Sequence, residues 1–122
     1  YRVSDENQVI IHTHSFYATL ISCLKDKEKA FAGLYAYTPY LNMKTGGLLK
    51  AVPYQKPGSR ELFADFEAVV DEKTKLYFLN NHGVVLGAKN ALDGFYTLEE
   101  LETNSKLLYT IEKYGKEEFQ TV

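Results

Sequence analysis

The chain has 122 residues, 14 Lys and Arg against 16 Asp and Glu, a net charge of −2 and 45% hydrophobic residues, enough to fold one domain around a real core. Charges of both signs are interspersed, which argues against nucleic acid or an anionic membrane as partner, and no apolar run is long enough to span a bilayer or reads as a signal peptide. The single cysteine, Cys23, cannot close an internal disulfide, so a reducing, cytoplasmic setting is expected.

In chain order, residues 1–7 carry no start methionine and lead almost at once into a buried-looking strand, so the chain reads as a fragment lacking its amino-terminal part. The β-branched run Val9-Ile10-Ile11 predicts a strand over 8–13. Ser15 is placed to cap a helix over 16–24, in which Cys23 is expected to be a small core residue. Residues 25–29 read as a solvated loop. Residues 30–48, punctuated by Pro39 and Gly46-Gly47, read as loop with room for one short helix. A strand over 49–52 ends at Pro53. Ser59 caps the next helix, which carries Leu62, Phe63, Phe66, Val69 and Val70 on one stripe. Two strands, over 75–80 and 84–88, flank the turn Asn80-Asn81-His82-Gly83, whose tightness demands an antiparallel pair. Asn90 caps a last, long helix in which Leu92, Phe95, Leu98, Leu101, Leu108 and Ile111 recur at helical spacing until Gly115, with Gly94 as a tolerated weak point. The alternation of strands and helices places the chain in the α/β class.

Only three histidines occur, and each falls at the end of a predicted strand. His12 and His14 are two apart on a strand and point to one face, with about 6.5–7 Å between their Cα atoms. Ile10 shares that face while Val9 and Ile11 occupy the other, so the pair is expected to be buried, and buried imidazoles need compensation that a metal ion supplies. If His82 lies beside them, the result is a three-nitrogen site with one position open, the catalytic rather than the structural pattern for zinc.

The stretches His12-Thr13-His14-Ser15 with Tyr17-Ala18-Thr19, Val52-Pro53-Tyr54 leading to Pro57-Gly58-Ser59-Arg60-Glu61-Leu62, and Asn81-His82-Gly83-Val84-Val85 before a long helix occur in an order that resembles the class II aldolase/adducin family. The likeness runs from about Asn7 to Tyr109. It implies a single domain over 1–122, the carboxy-terminal portion of a three-layer α/β/α fold with a central mixed, largely antiparallel sheet. It further implies Zn2+ or another divalent metal ion held by His12, His14 and His82, a small phosphorylated sugar as substrate, and a homotetramer whose active sites lie at subunit boundaries lined by the Tyr-rich stretch 35–54. The implied reaction is retro-aldol cleavage of a phosphorylated ketose, with the ion stabilising the enediolate that forms. A sugar-phosphate 4-epimerase shares the same ligands and is the nearest rival. A non-catalytic, adducin-like assembly domain is a third reading, disfavoured because a scaffold has no use for three ligand histidines.

The acid/base glutamate and the loops that grip phosphate are expected upstream of this chain. Glu6 is too close to the first strand to serve, and Glu61 reads as a solvated acid in the first turn of a helix, so the fragment alone is expected to be inactive. Counting back from Gly46-Gly47, Tyr40 overlays a tyrosine that in such aldolases reaches a neighbouring subunit's site and protonates the leaving fragment. Tyr35 and Tyr37 are alternatives for the same role.

Overall fold

Four short strands build one mixed sheet in the order β1-β4-β3-β2, in a computed structural model that describes residues 6–122. Residues 1–5, the start of the segment read as truncated, lie outside the described residues. The strands are β1 (Val9–Thr13), β2 (Leu49–Val52), β3 (Leu76–Leu79) and β4 (Gly83–Ala88). β4 pairs antiparallel with both β1 and β3, and β2 runs parallel to β3. The hairpin expected around 80–83 is therefore present, and the parallel pair is joined by a crossover through helix α4 (Arg60–Val69), as a parallel connection requires.

Side chains alternate across the strands and separate two cores. Leu76 and Phe78 of β3, with Val84 and Leu86 of β4, pack against α1 (Phe16–Ser22), α2 (Lys27–Leu34), α3 (Tyr40–Thr45) and α5 (Ala91–Tyr114). On the other face Val52, Leu79 and Val85 meet Leu62, Phe66 and Val69 of α4. This is the expected three-layer α/β/α arrangement. No helix among the described residues is long and apolar enough to cross a membrane.

Several local expectations are corrected. Residues 27–34, read as part of the loops over 25–29 and 30–48, form helix α2, whose N-terminus is capped by Asp26 accepting from the Lys29 N–H at 3.0 Å. Only Ala30 and Leu34, four apart, are buried, and so narrow a stripe is lost among the surrounding charges. Helix α1 ends at Ser22, two residues short of expectation, and Cys23 just beyond it is exposed rather than in the core. Ser15 occupies the cap position of α1 without making a side-chain cap. The backbone N–H groups of Tyr17 and Ala18 instead donate to Glu102 Oε1 on α5, at 2.5 and 3.1 Å.

On α5, Leu92 and Phe95 are exposed, and the buried ridge is Gly94, Thr97, Leu101, Asn104, Ser105, Leu108 and Ile111. Gly94 explains the difference. A Cβ there would lie 2.5 Å from Ile11 Cδ1 and 3.2 Å from the Ala88 Cβ, so the helix comes down on the sheet through its smallest residue and its larger neighbours are turned outward. Phe63 of α4 is likewise exposed, because that helix covers the β2 side of the sheet through Leu62, Phe66 and Val69.

Replacing Glu102 by Ala removes the acceptor for two backbone donors at a helix start and is expected to cost about 1–3 kcal/mol, seen as a lowered midpoint in thermal or urea unfolding; Glu102→Gln, which keeps an acceptor, should lose less. Asp71 offers a second check. Its carboxylate meets Lys50 Nζ at 2.6 Å and accepts from the backbone N–H groups of Thr74 and Lys73, and these contacts, Lys50 foremost, hold its pKa well below the usual carboxylate range. A depressed folded value means that the contribution is present above the ordinary carboxylate pKa and lost as pH falls through the folded one. Asp71→Asn should therefore lower stability at neutral pH and flatten its decline in acid, measured by urea unfolding across pH.

Candidate metal centre

All three histidines come together at one end of the sheet. His12 lies on β1 opposite Val85 of β4, His14 follows the last residue of β1, and His82 sits in the turn between β3 and β4. Their ring centroids are 4.7, 5.0 and 4.9 Å apart, a nearly equilateral triangle. One ring nitrogen from each lies within 4.8 Å of the other two.

The hairpin turn is held from three sides. Asn80 N–H donates to Val52 O at the end of β2, Asn81 N–H to Ser22 O at the end of α1, and His82 N–H back to Leu79 O, at 3.0, 3.1 and 3.1 Å. Asn81 takes φ 57°, a left-handed conformation that Asn tolerates better than most residues. Gly83 then lets β1 pass. A Cβ on it would stand 2.4 Å from Thr13 O and 2.9 Å from His14 Cδ2. Sequence reading takes this glycine as an ordinary turn residue, whereas its role is to admit the backbone that carries two histidines.

The ring nitrogens have assignable roles. His12 Nδ1 lies 2.9 Å from Val84 O; a carbonyl only accepts, so Nδ1 carries the proton and Nε2 has a free lone pair. That Nε2 is 3.0 Å from His14 Nε2, close to the ~3.3 Å edge of a tetrahedron built on zinc–nitrogen bonds of about 2.0–2.1 Å. His82 has its pKa lowered by burial first and by the neighbouring His12 and His14 next, which favours the neutral imidazole that a metal requires. Its Nδ1 is buried without a hydrogen-bond partner. Three imidazoles whose ring nitrogens converge within 4.8 Å of one another fit a divalent ion of intermediate hardness such as zinc.

The burial expected of the first pair is not observed. His12 and His14 are exposed, and only His82 is partly buried. β1 is an edge strand, α4 covers the far side of its histidine face, and Ile10 on that face is exposed as well. The reason to group the histidines is their convergence, and their open side leaves room for a further ligand.

Other candidate residues lie elsewhere. Tyr40, in the first turn of α3, is 56% exposed and forms no hydrogen bond or ring contact with the histidines among the described residues. The Tyr35 hydroxyl is 2.7 Å from Thr45 Oγ1, its pKa raised chiefly by burial, and Tyr37 packs against the core. Glu61 is exposed in the first turn of α4. Glu6 borders a polar hollow with Lys75, Lys89 and Asp93 at the opposite end of β1. Glu102 escapes sequence reading because its partners are 84 and 85 residues away.

Comparison with known proteins gives a consistent picture. The family model described as Class II Aldolase and Adducin N-terminal domain matches residues 1–109. A 3-oxo-tetronate 4-phosphate decarboxylase of Pectobacterium atrosepticum is 36% identical over 111 residues, 91% of this chain and 50% of that protein. A 5-deoxy-D-ribulose 1-phosphate aldolase of Bacillus thuringiensis is 31% identical over 117 residues, 95% of this chain and 51% of that one. Among solved structures, YgbL of Klebsiella pneumoniae superposes with a TM-score of 0.79 at 28% identity, covering 98% of this chain and 55% of its own. The chain spans about half the length of the curated relatives it matches.

Substituting Gly83 by Ala is expected to force the end of β1 off β4 at a cost of about 1–3 kcal/mol. Urea unfolding measures the loss, and ring-proton NOEs should show His14 displaced from His12.

Proposed function

The chain belongs to the class II aldolase and adducin family, and from that premise we propose that it is the metal-holding portion of a lyase that breaks a carbon–carbon bond in a small phosphorylated sugar. The observation that carries this reading is the convergence of three imidazole nitrogens within 4.8 Å. His12, His14 and His82 are the ligands, and zinc or another divalent ion is the occupant. When bound, such an ion supplies Lewis acidity at the substrate's carbonyl oxygen, where negative charge develops as the bond breaks.

The chain's own residues prepare that chemistry. The Val84 carbonyl fixes the tautomer and ring plane of His12. Partial burial, and then the neighbouring His12 and His14, lower the pKa of His82 and so favour its neutral form. Exposure of His12 and His14 leaves the approach for substrate on the α4 side of β1. Of the three tyrosines considered for the proton donor, Tyr40 is the exposed one, as a group serving a neighbouring subunit's site must be, and in this reading the protein works as a homotetramer. The acid/base carboxylate and the phosphate grip are assigned to the rest of the protein, since this chain spans half the length of its relatives.

Retro-aldol cleavage of a ketose phosphate is the first reading. Decarboxylation of a phosphorylated 3-oxo sugar acid is the second, favoured by the 36% identical decarboxylase; in both, the electrons of the broken bond move toward a carbonyl oxygen, and only the departing fragment differs. Assays of the whole protein separate them by the product released, an aldehyde or carbon dioxide, and a 4-epimerase would release neither.

Elemental analysis after dialysis against zinc is expected to find about one ion per chain. His82→Ala should weaken zinc binding by roughly 100-fold or more, since even residues that only orient ligands cost 10–100-fold; a protein that takes up no divalent ion overturns the metal reading. In the whole protein, Tyr40→Phe should lower kcat while leaving ion content unchanged, and an unchanged kcat would remove Tyr40 from the mechanism.

A further inference from the structure

His12 and His82 differ in how their second ring nitrogen is treated. Nδ1 of His12 donates to Val84 O at 2.9 Å. Nδ1 of His82 is buried with no partner, and the carboxamide oxygen of Asn80, two residues earlier in the same turn, is also buried with no partner. One atom is a donor in the neutral ring whose other nitrogen ligates a metal; the other can only accept. The Thr19 hydroxyl is a third buried, unpartnered atom. Its helix is tied to this turn, because Asn81 N–H donates to Ser22 O at 3.1 Å and Ser22 Oγ donates to Thr19 O at 2.6 Å.

We propose that Asn80 is the positioning residue of His82: its carboxamide oxygen accepts a hydrogen bond from the Nδ1–H of His82, directly or through one buried water shared with Thr19, and so turns Nε2 toward His12 and His14. This rests on the metal reading above. Nδ1 is the enclosed nitrogen, which leaves Nε2 for the open side where the exposed His12 and His14 converge. Ligand histidines are held in this way by a partner on the nitrogen away from the ion, and a buried water needs two to four polar partners of the kind this turn offers.

The test has two parts. In zinc-loaded, histidine-15N-labelled protein, His82 should show Nε2 as the metal-bound nitrogen and a slowly exchanging, downfield Nδ1–H. Asn80→Leu should weaken zinc binding about 10–100-fold, while Asn80→Asp, which keeps the accepting oxygen, should restore most of the loss. Nδ1 found as the ligating atom, a folded Asn80→Leu with unaltered affinity, or an Asn80→Asp as weak as Asn80→Leu overturns the inference. If Asn80→Leu fails to fold, the ring-nitrogen assignment in the unaltered protein decides alone. If the unaltered protein binds no divalent ion, it is the metal reading that fails, and this inference with it.

Discussion

Where β1 runs past Gly83, backbone meets backbone with no space for a side chain: a Cβ would sit 2.4 Å from Thr13 O. That close approach sets the separation of the three imidazoles. It puts Val84 O against His12 Nδ1 and brings the turn that carries His82 beside the strand end that carries His14. The register Thr13↔Val84 and His12↔Val85 extends the same contact along the strand, and a shift of one residue would send His12 to the opposite face.

The rest of the fold keeps this junction in place. Glu102 reaches from α5 to the N–H groups of Tyr17 and Ala18 in the first turn of α1, three and four residues after His14, so the longest helix anchors the segment leaving the site. α5 is itself seated on β1 and β4 through Gly94, against Ile11 and Ala88. The other end of α1 holds the hairpin turn through Ser22 O, and the end of β2 holds it through Val52 O. Both sides of the histidine cluster are thus fastened by hydrogen bonds to elements distant in sequence, through the Glu102 carboxylate on one side and backbone carbonyls on the other, which is the rigidity a preorganised site needs.

The cluster is open on the α4 side of β1, where Ile10, His12 and His14 are exposed. A site of three imidazoles with one side free differs from a closed structural site, in which all ligands come from the protein and exclude solvent. The geometry brings three imidazole nitrogens together; in the proposed reading they are the donors to an ion, and the reaction's proton transfers fall to groups outside the cluster.

Much of this was legible in the amino-acid order because it depends on local rules. The period-2 spacing of His12 and His14, the apolar runs on either side of His82, the tight Asn80–Gly83 turn and the caps at Ser59 and Asn90 are each set by residues within a few positions of one another, and the structure keeps the caps and the antiparallel hairpin. Tertiary packing decided the rest. Exposure of His12 and His14 follows from β1 being an edge strand, a consequence of strand order that no local pattern encodes. The outward turn of Leu92 and Phe95 follows from Gly94 meeting the sheet, and the capping of α1 by Glu102 rather than Ser15 follows from a contact 84 and 85 residues away. Local sequence thus determined which residues could ligate an ion; only the folded sheet, by bringing Gly83 against Thr13, determined that their nitrogens meet, because convergence is a property of strand pairing and close approach rather than of spacing along the chain.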